Sequence, residues 1–148
     1  MVHVEGEIVI ERPVEVVFDF VADERNEPKY NRAMTRAEKV TDGPLGEGTR
    51  FLAAVKTMGR EIEMRVETTG YERPARLAST STMSSFDTSG TLTFRPVPTG
   101  TLMHWSWDVR PKGMFRLLTP VMARLGSRSE ERIWAGLKRY LEAGEPAV

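Results

Sequence analysis

Residues 102–125 read LMHWSWDVRPKGMFRLLTPVMARL, and within this stretch the hydrophobic period changes. Met103, Trp105, Trp107 and Val109 alternate with His104, Ser106, Asp108 and Arg110, the two-residue period of a strand with one apolar face. From Met114 onward the spacing becomes helical, through Phe115, Leu118, Met122 and Leu125 and on to Ile133, Leu137 and Leu141. Pro120 lacks an N–H and disfavours helical geometry at Thr119. The expected arrangement is a short helix ending before Thr119, then a main helix of about 22 residues, roughly 33 Å long, with Thr119 as its cap. A strongly amphipathic strand that feeds a long amphipathic helix gives the chain its C-terminal half.

Working back from that strand, Pro96, Pro98 and Gly100 form a turn, and Phe86, Gly90, Leu92 and Phe94 share one parity before it. The Ser/Thr-rich run from Leu77 to Ser85 carries β-branched threonines and Met83 and reads as a strand, set off by Arg73-Pro74. Ile62, Met64 and Val66 alternate against Glu61, Glu63, Arg65 and Glu67. With Phe51, Ala53 and Val55 across a Met58-Gly59 turn, they make a hairpin with one charged face. A further strand is expected near 34–41. At the N-terminus Val2, Val4, Ile8 and Ile10 oppose His3, Glu5, Glu7 and Glu11, and Pro13 opens a short helix with Val14, Val17, Phe18 and Val21 at i, i+3, i+4, i+7. Asn26, Pro28 and Asn31 break that period around Tyr30, as a turn or one further short helix would. The order is strand, one or two short helices, about six consecutive strands and one long helix, an α+β domain spanning 1–148 without repeat or linker.

The chain has 148 residues, large enough to bury about two-thirds of the surface its unfolded form would expose. No Cys is present, which removes disulfides, thiolate nucleophiles and Cys-based zinc sites and fits a reducing compartment. With 2 His, a metal site would need carboxylates, and none is expected. No signal-like start and no run of about 18 apolar residues is seen, so the expected location is cytoplasmic. The 21 basic and 21 acidic residues lack the excess that drives nucleic-acid binding. They are nevertheless segregated. Residues 1–24 hold seven acids and one base, Arg12, whereas residues 110–139 hold eight bases and only Glu130 and Glu131 as acids.

This order resembles the START/Bet v 1-like superfamily, in particular its bacterial polyketide cyclase/dehydrase-like branch. The matching pieces are Ile8-Val9-Ile10-Glu11-Arg12-Pro13 leading into Val16-Val17-Phe18-Asp19-Phe20-Val21-Ala22-Asp23; Asn26 to Asn31; Gly46-Glu47-Gly48-Thr49; Gly100-Thr101; and the C-terminal helix. The resemblance implies a helix-grip fold, in which a curved antiparallel sheet of about seven strands wraps a long C-terminal helix and leaves a cavity between them. It also implies an apolar ligand such as a lipid or polyketide, bound by a carrier or sensor. The alternative is a cyclase, aromatase or dehydratase that uses the same cavity without metal or nucleotide cofactor.

The lining expected for such a cavity comprises Phe18, Tyr30, Phe51, Val55, Met64, Thr88 and Leu92, then Met103, Trp105 and Trp107 from the last strand, and Met114, Phe115, Leu118, Met122 and Leu125 from the helical region. Met and aromatic side chains suit adaptable pockets, because thioethers repack and rings bury large areas at low entropy cost. Periodicity alone would look the same for a filled core. Tyr30, Thr57 and Thr88 are the polar groups expected at the cavity, and a lining of this kind is expected to exclude charged metabolites. Parity turns His104 and Asp108 outward, against an acid/base role. Gly126 and Gly136 on the apolar stripe mark close packing against the sheet or space left for a ligand. The turn from Asp42 to Thr49 is rich in glycine, but it lacks the Lys of a phosphate loop and runs into a strand. Arg116, Arg124, Arg128 and Arg132 read as a solvated face beside Glu130 and Glu131, with docking to an anionic membrane as the secondary reading. The partner expected is a small apolar molecule, and the chain is expected to be a monomer or homodimer.

Overall fold

The structure is a computed structural model that describes residues 1–143; residues 144–148 of the expected domain lie outside the described residues. Its elements are β1 (Val2–Ile10), α1 (Val14–Ala22), a 3-10 helix (Glu24–Lys29), β2 (Met34–Lys39), β3 (Arg50–Thr57), β4 (Arg60–Glu72), β5 (Arg76–Thr82), β6 (Phe86–Val97), β7 (Gly100–Pro111), a second 3-10 helix (Gly113–Leu118) and α2 (Thr119–Glu142). The seven strands form one antiparallel sheet in the order β1-β7-β6-β5-β4-β3-β2. Consecutive strands from β2 to β7 are neighbours, and β1 closes the far side by pairing with β7 from Val2↔Val109 to Ile10↔Thr101. None of the described helices is long and apolar enough to cross a membrane.

Alternation places the inner face as the sequence indicates, with Val2, Val4 and Ile10 of β1 and Met103 and Trp105 of β7 buried. Curvature follows from two register shifts, in β4 between Thr68 and Gly70 and in β2 between Met34 and Arg36, where one extra residue bends the strand. The sheet also makes room for its largest side chain. Trp105 lies opposite Gly6, and a Cβ there would sit 2.5 Å from the indole Cζ2, so β1 passes beneath the ring only as glycine.

The C-terminal end of α2 is tied to the first strand and its exit. Arg12 Nη1 donates to the Leu141 carbonyl at 2.8 Å, Lys138 Nζ to the Val9 carbonyl at 2.8 Å, and the Glu142 carboxylate accepts from the Glu11 N–H at 2.8 Å. Leu137 and Leu141 are fully buried there, joining Ile10, Val17, Phe18, Leu77, Phe94, Met103, Trp105 and Trp134 in a closely packed core. Each such side chain removed from water contributes about 2 kcal/mol. Gly136 permits this approach, since a Cβ at that position would lie 2.5 Å from the Tyr30 carbonyl oxygen.

The other end of α2 begins differently from the expectation. Thr119 is itself helical (φ −47°, ψ −46°), the cap position falls on Leu118, and the Thr119 hydroxyl donates backward to the Arg116 carbonyl at 2.7 Å. Pro120 in the first turn sacrifices no hydrogen bond, because the first N–H groups of a helix have no intrahelical partner. The 3-10 helix therefore runs straight into α2, which at 24 residues is about 36 Å long.

Candidate functional site

Between the inner face of the sheet and the N-terminal half of α2 the side chains do not fill the space, and a cavity of about 560 Å³ remains. That volume lies within the range of small-molecule sites, roughly 300–1,000 Å³. It is walled by Val2, Val4 and Trp107 on β1 and β7, by Phe51, Val55, Met64 and Val66 on β3 and β4, by Leu77, Ser79, Ser81, Thr88 and Leu92 on β5 and β6, and by Phe115, Leu118, Met122, Leu125 and Ile133 on the helical side.

Of the residues expected to line it, Tyr30, Phe51, Val55, Met64, Thr88, Leu92, Trp107, Phe115, Leu118, Met122 and Leu125 do so, as does Thr57. Four others lie elsewhere. Phe18 is fully buried between Tyr71 and Phe94, with ring centroids 5.3 and 5.2 Å away in edge-on contacts, because α1 packs against β6 and fills that part of the inner face. Met103 and Trp105 share the face of Trp107 but point into the region occupied by Trp134 and Leu137. Met114 is 83 % exposed, since the 3-10 helix turns it outward, away from the sheet. Gly126 serves both alternatives at once, lining the cavity while a Cβ there would meet Val4 Cγ2 at 3.2 Å.

One end of the cavity is not apolar. Glu24 and Glu27 enter it from the first 3-10 helix and Glu130 from α2, beside Tyr30, Asn31 and Trp134. Asn31 Nδ2 donates to Glu27 Oε2 at 2.7 Å, and Trp134 Nε1 donates to Glu130 Oε1 at 3.2 Å. No Lys, Arg or His is among the described lining residues, so the carboxyls have no countercharge. Burial raises the Glu24 pKa well above the usual carboxylate value, and the neighbouring Glu27 and Asp23 raise it further. Burial likewise raises Glu130 from 4.5 to about 7, with Glu27 adding to it and the indoles of Trp134 and Trp107 partly opposing it. Trp107 Nε1 faces Glu130 but falls short of a hydrogen bond, leaving that buried N–H unpartnered. The Tyr30 hydroxyl is also pushed well up, by burial first and then by Glu27, Glu24 and Glu130.

These carboxyls were not expected in the lining. Glu24 and Glu27 sit in an aperiodic segment, where no pattern indicates a face. Glu130 lies four residues after Gly126, three before Ile133 and four before Trp134, so helical arithmetic places it inward. Its neighbours Glu131 and Arg132 obscured that position. The sequence also missed Trp134, which is 5 % exposed and stands between Tyr30 and Trp105.

On the outer face, His104 Nε2 pairs with Glu5 at 2.9 Å and His3 Nδ1 with Asp108 at 2.9 Å, so both histidines point away from the cavity. Arg116, Arg124, Arg128 and Arg132 are exposed, and none of them lines the cavity. Among the described residues, no group of three or more His, Cys, Asp or Glu is arranged to hold a metal ion.

A curved seven-stranded antiparallel sheet gripping a C-terminal helix over a cavity defines a START/Bet v 1-like helix-grip fold. The chain belongs to the polyketide cyclase / dehydrase and lipid transport family, whose model matches residues 1–142. Among solved structures it is similar to a protein of Thermus thermophilus, with 22% identity, TM-score 0.82 and coverage of 97% of this chain and 99% of that one. It is also similar to a START superfamily protein of Mycobacterium smegmatis, with 14% identity, TM-score 0.83 and coverage of 95% and 97%. Ara h 8.0201 superposes with 17% identity, TM-score 0.74 and coverage of 96% and 98%. No curated protein matches by sequence.

Proposed function

We propose that this chain binds an apolar small molecule of the lipid or polyketide kind in the cavity between sheet and α2, as a carrier or sensor. The observation that carries the reading is a cavity of about 560 Å³ walled mainly by Val, Leu, Met, Phe and Trp side chains. A solid core of the same residues would leave no such space, because protein interiors pack as tightly as organic crystals. The contact surface is Phe51, Val55, Met64, Leu92, Trp107, Phe115, Leu118, Met122 and Leu125, with Tyr30, Thr57 and Thr88 to orient a ligand oxygen. Entry is beside the start of α2, where Leu117 and Val121 are exposed next to Leu118 and Leu125. The test is titration with the neutral fluorophore N-phenyl-1-naphthylamine. Saturable one-to-one binding is expected, with quenching of Trp107 or Trp134, and a Thr88→Trp variant that keeps its circular dichroism spectrum should bind at least about tenfold more weakly, a loss of about 1.4 kcal/mol. Absence of saturable binding overturns the reading.

A second reading, a cyclase or dehydratase, draws on Glu130. A carboxyl that titrates near 7 beside a buried tyrosine suits proton transfer at neutral pH, and a shaped cavity contributes by orienting a reactive chain. Conversion of a poly-β-ketone substrate by the wild type, lost in Glu130→Gln while fluorophore binding persists, would favour it over a carrier.

A further inference from the structure

Three carboxyl groups face one end of a cavity whose walls are mainly apolar, with no basic side chain beside them among the described lining residues. Buried acids are ordinarily paired, because an unpaired buried charge is costly. Here the protein itself supplies one amide donor to Glu27 and one indole donor to Glu130, and Glu24 shares a hydrogen bond with Glu27. Tyr30 is nine-tenths buried and lines the same end, and its hydroxyl forms no hydrogen bond to another described residue. Trp134 is packed against Tyr30 at 6.0 Å between ring centroids, so two aromatic rings stand beside the carboxyls, with Trp107 on the sheet side. Acidic groups together with aromatic faces are the components that stabilise a cation held out of water.

Building on the apolar-ligand reading above, we propose that this end of the cavity is a cation site: it takes the protonated nitrogen of an otherwise apolar amine, or a quaternary ammonium. Glu24, Glu27 and Glu130 supply the charge, Tyr30 an acceptor oxygen and Trp107 and Trp134 the ring faces, while the apolar body of the ligand occupies the space under Met122 and Leu125.

Electrostatics explains why a cation, rather than a second carboxylate or a neutral tail, fits here. Without a cation the cluster lowers its own repulsion by retaining protons, as the raised Glu24 and Glu130 show. A bound ammonium does the same work and displaces a proton to solvent, leaving a carboxylate–ammonium pair in place of one carboxylic acid. The ionisable groups facing Glu130 are Glu24 and Glu27 from the 3-10 helix and Tyr30 at its end; the described lining residues of β1, β7 and α2 add none. Cation binding therefore strengthens as Glu130 ionises. A quaternary ammonium is weakly hydrated, so it enters an apolar cavity at less cost than a compact primary ammonium does.

The experiment is displacement of N-phenyl-1-naphthylamine by three ligands of one chain length: decyltrimethylammonium, decanol and decanoate. At about pH 8.5 the ammonium should displace the probe at a concentration at least about tenfold below decanol, and decanoate should be the weakest. At about pH 5.5, below the Glu130 value of about 7, the preference should fall severalfold. Calorimetry in buffers of different ionisation enthalpy should show proton release on ammonium binding near neutral pH. Glu130→Gln and Glu24→Gln should each reduce the ammonium preference and the proton release while leaving decanol affinity within about twofold. If the probe and decanol bind but decanol matches or exceeds the ammonium, the cation site is wrong and the apolar cavity stands. If the probe itself does not bind, the reading beneath the proposal has failed and the proposal falls with it. A variant pair that preserves the full preference also overturns it.

Discussion

Replacing Glu130 by Gln should stabilise the protein in alkaline solution, and the amount can be worked from its surroundings. The folded protein holds this carboxyl at about 7, against 4.5 for an unburied glutamate, because burial and Glu27 disfavour its charge. Between those values the folded state binds more protons than the unfolded one at this site. Its contribution to stability is therefore complete below 4.5 and is lost as the pH rises through 7. At 1.36 kcal/mol for each pH unit, ionising Glu130 in place removes about 3 kcal/mol. The partial access of the residue to the cavity makes that an upper value. Glutamine keeps the side-chain length and an oxygen that can accept from Trp134 Nε1, and it carries no charge to bury. Urea unfolding of both proteins, followed by circular dichroism at steps from about pH 5 to about pH 8.5, measures the difference. Glu130→Gln should gain about 2–3 kcal/mol relative to wild type over that range. Glu24 contributes a slope of its own to both proteins, and subtracting one curve from the other removes most of it. A flat difference, or a variant less stable than wild type at the alkaline end, would refute the argument that Glu130 is an uncompensated buried acid.

Three other substitutions probe the frame around the cavity. Leu137→Ala removes a fully buried side chain at the tightest part of α2 and should cost about 2–5 kcal/mol in urea unfolding. Gly136→Ala and Gly126→Ala should diverge in Tm: the first drives a Cβ to 2.5 Å from the Tyr30 carbonyl and lowers it, while the second meets only Val4 Cγ2 at 3.2 Å and gains up to about 1 kcal/mol of helix propensity. His104→Ala should change stability by less than about 1 kcal/mol and leave fluorophore binding intact, because its 2.9 Å pairing with Glu5 lies on the exposed face.

The period change after Arg110 made α2 legible, and strict alternation made β1 and β7 legible, because both signals reflect a single buried face. The same alternation could not show where along that face the filling stops. Met103, Trp105 and Trp107 are equivalent by parity, yet only Trp107 reaches the cavity. The difference is set by α1, which brings Phe18 against Phe94, and by the Arg12 and Lys138 bonds that draw the far end of α2 onto the sheet. Those are long-range contacts, without a local signature. Glu24 and Glu27 were hidden for a different reason: the segment from Asp23 to Asn31 has no period, so the side each residue faces depends on where the 3-10 helix lands. Tyr30, expected at the cavity as one of its hydroxyl groups, lies in that same segment and does line it.

The pairing of β1 with β7 also sets when, during synthesis, the native β1 ladder can be completed. The ladder from Val2↔Val109 to Ile10↔Thr101 joins residues about a hundred positions apart, the longest separation in the sheet. During synthesis β1 leaves the ribosome first and has no edge to join until β7 has emerged, whereas β2 through β7 can zip as successive hairpins. For that interval Val2, Val4, Ile8 and Ile10 form an unpaired β-prone segment of the kind that seeds aggregation. Glu5, Glu7 and Glu11, interleaved with them, supply repulsion between nascent copies. The acidic interleaving of β1 suits a strand that stays unpaired until β7 has emerged.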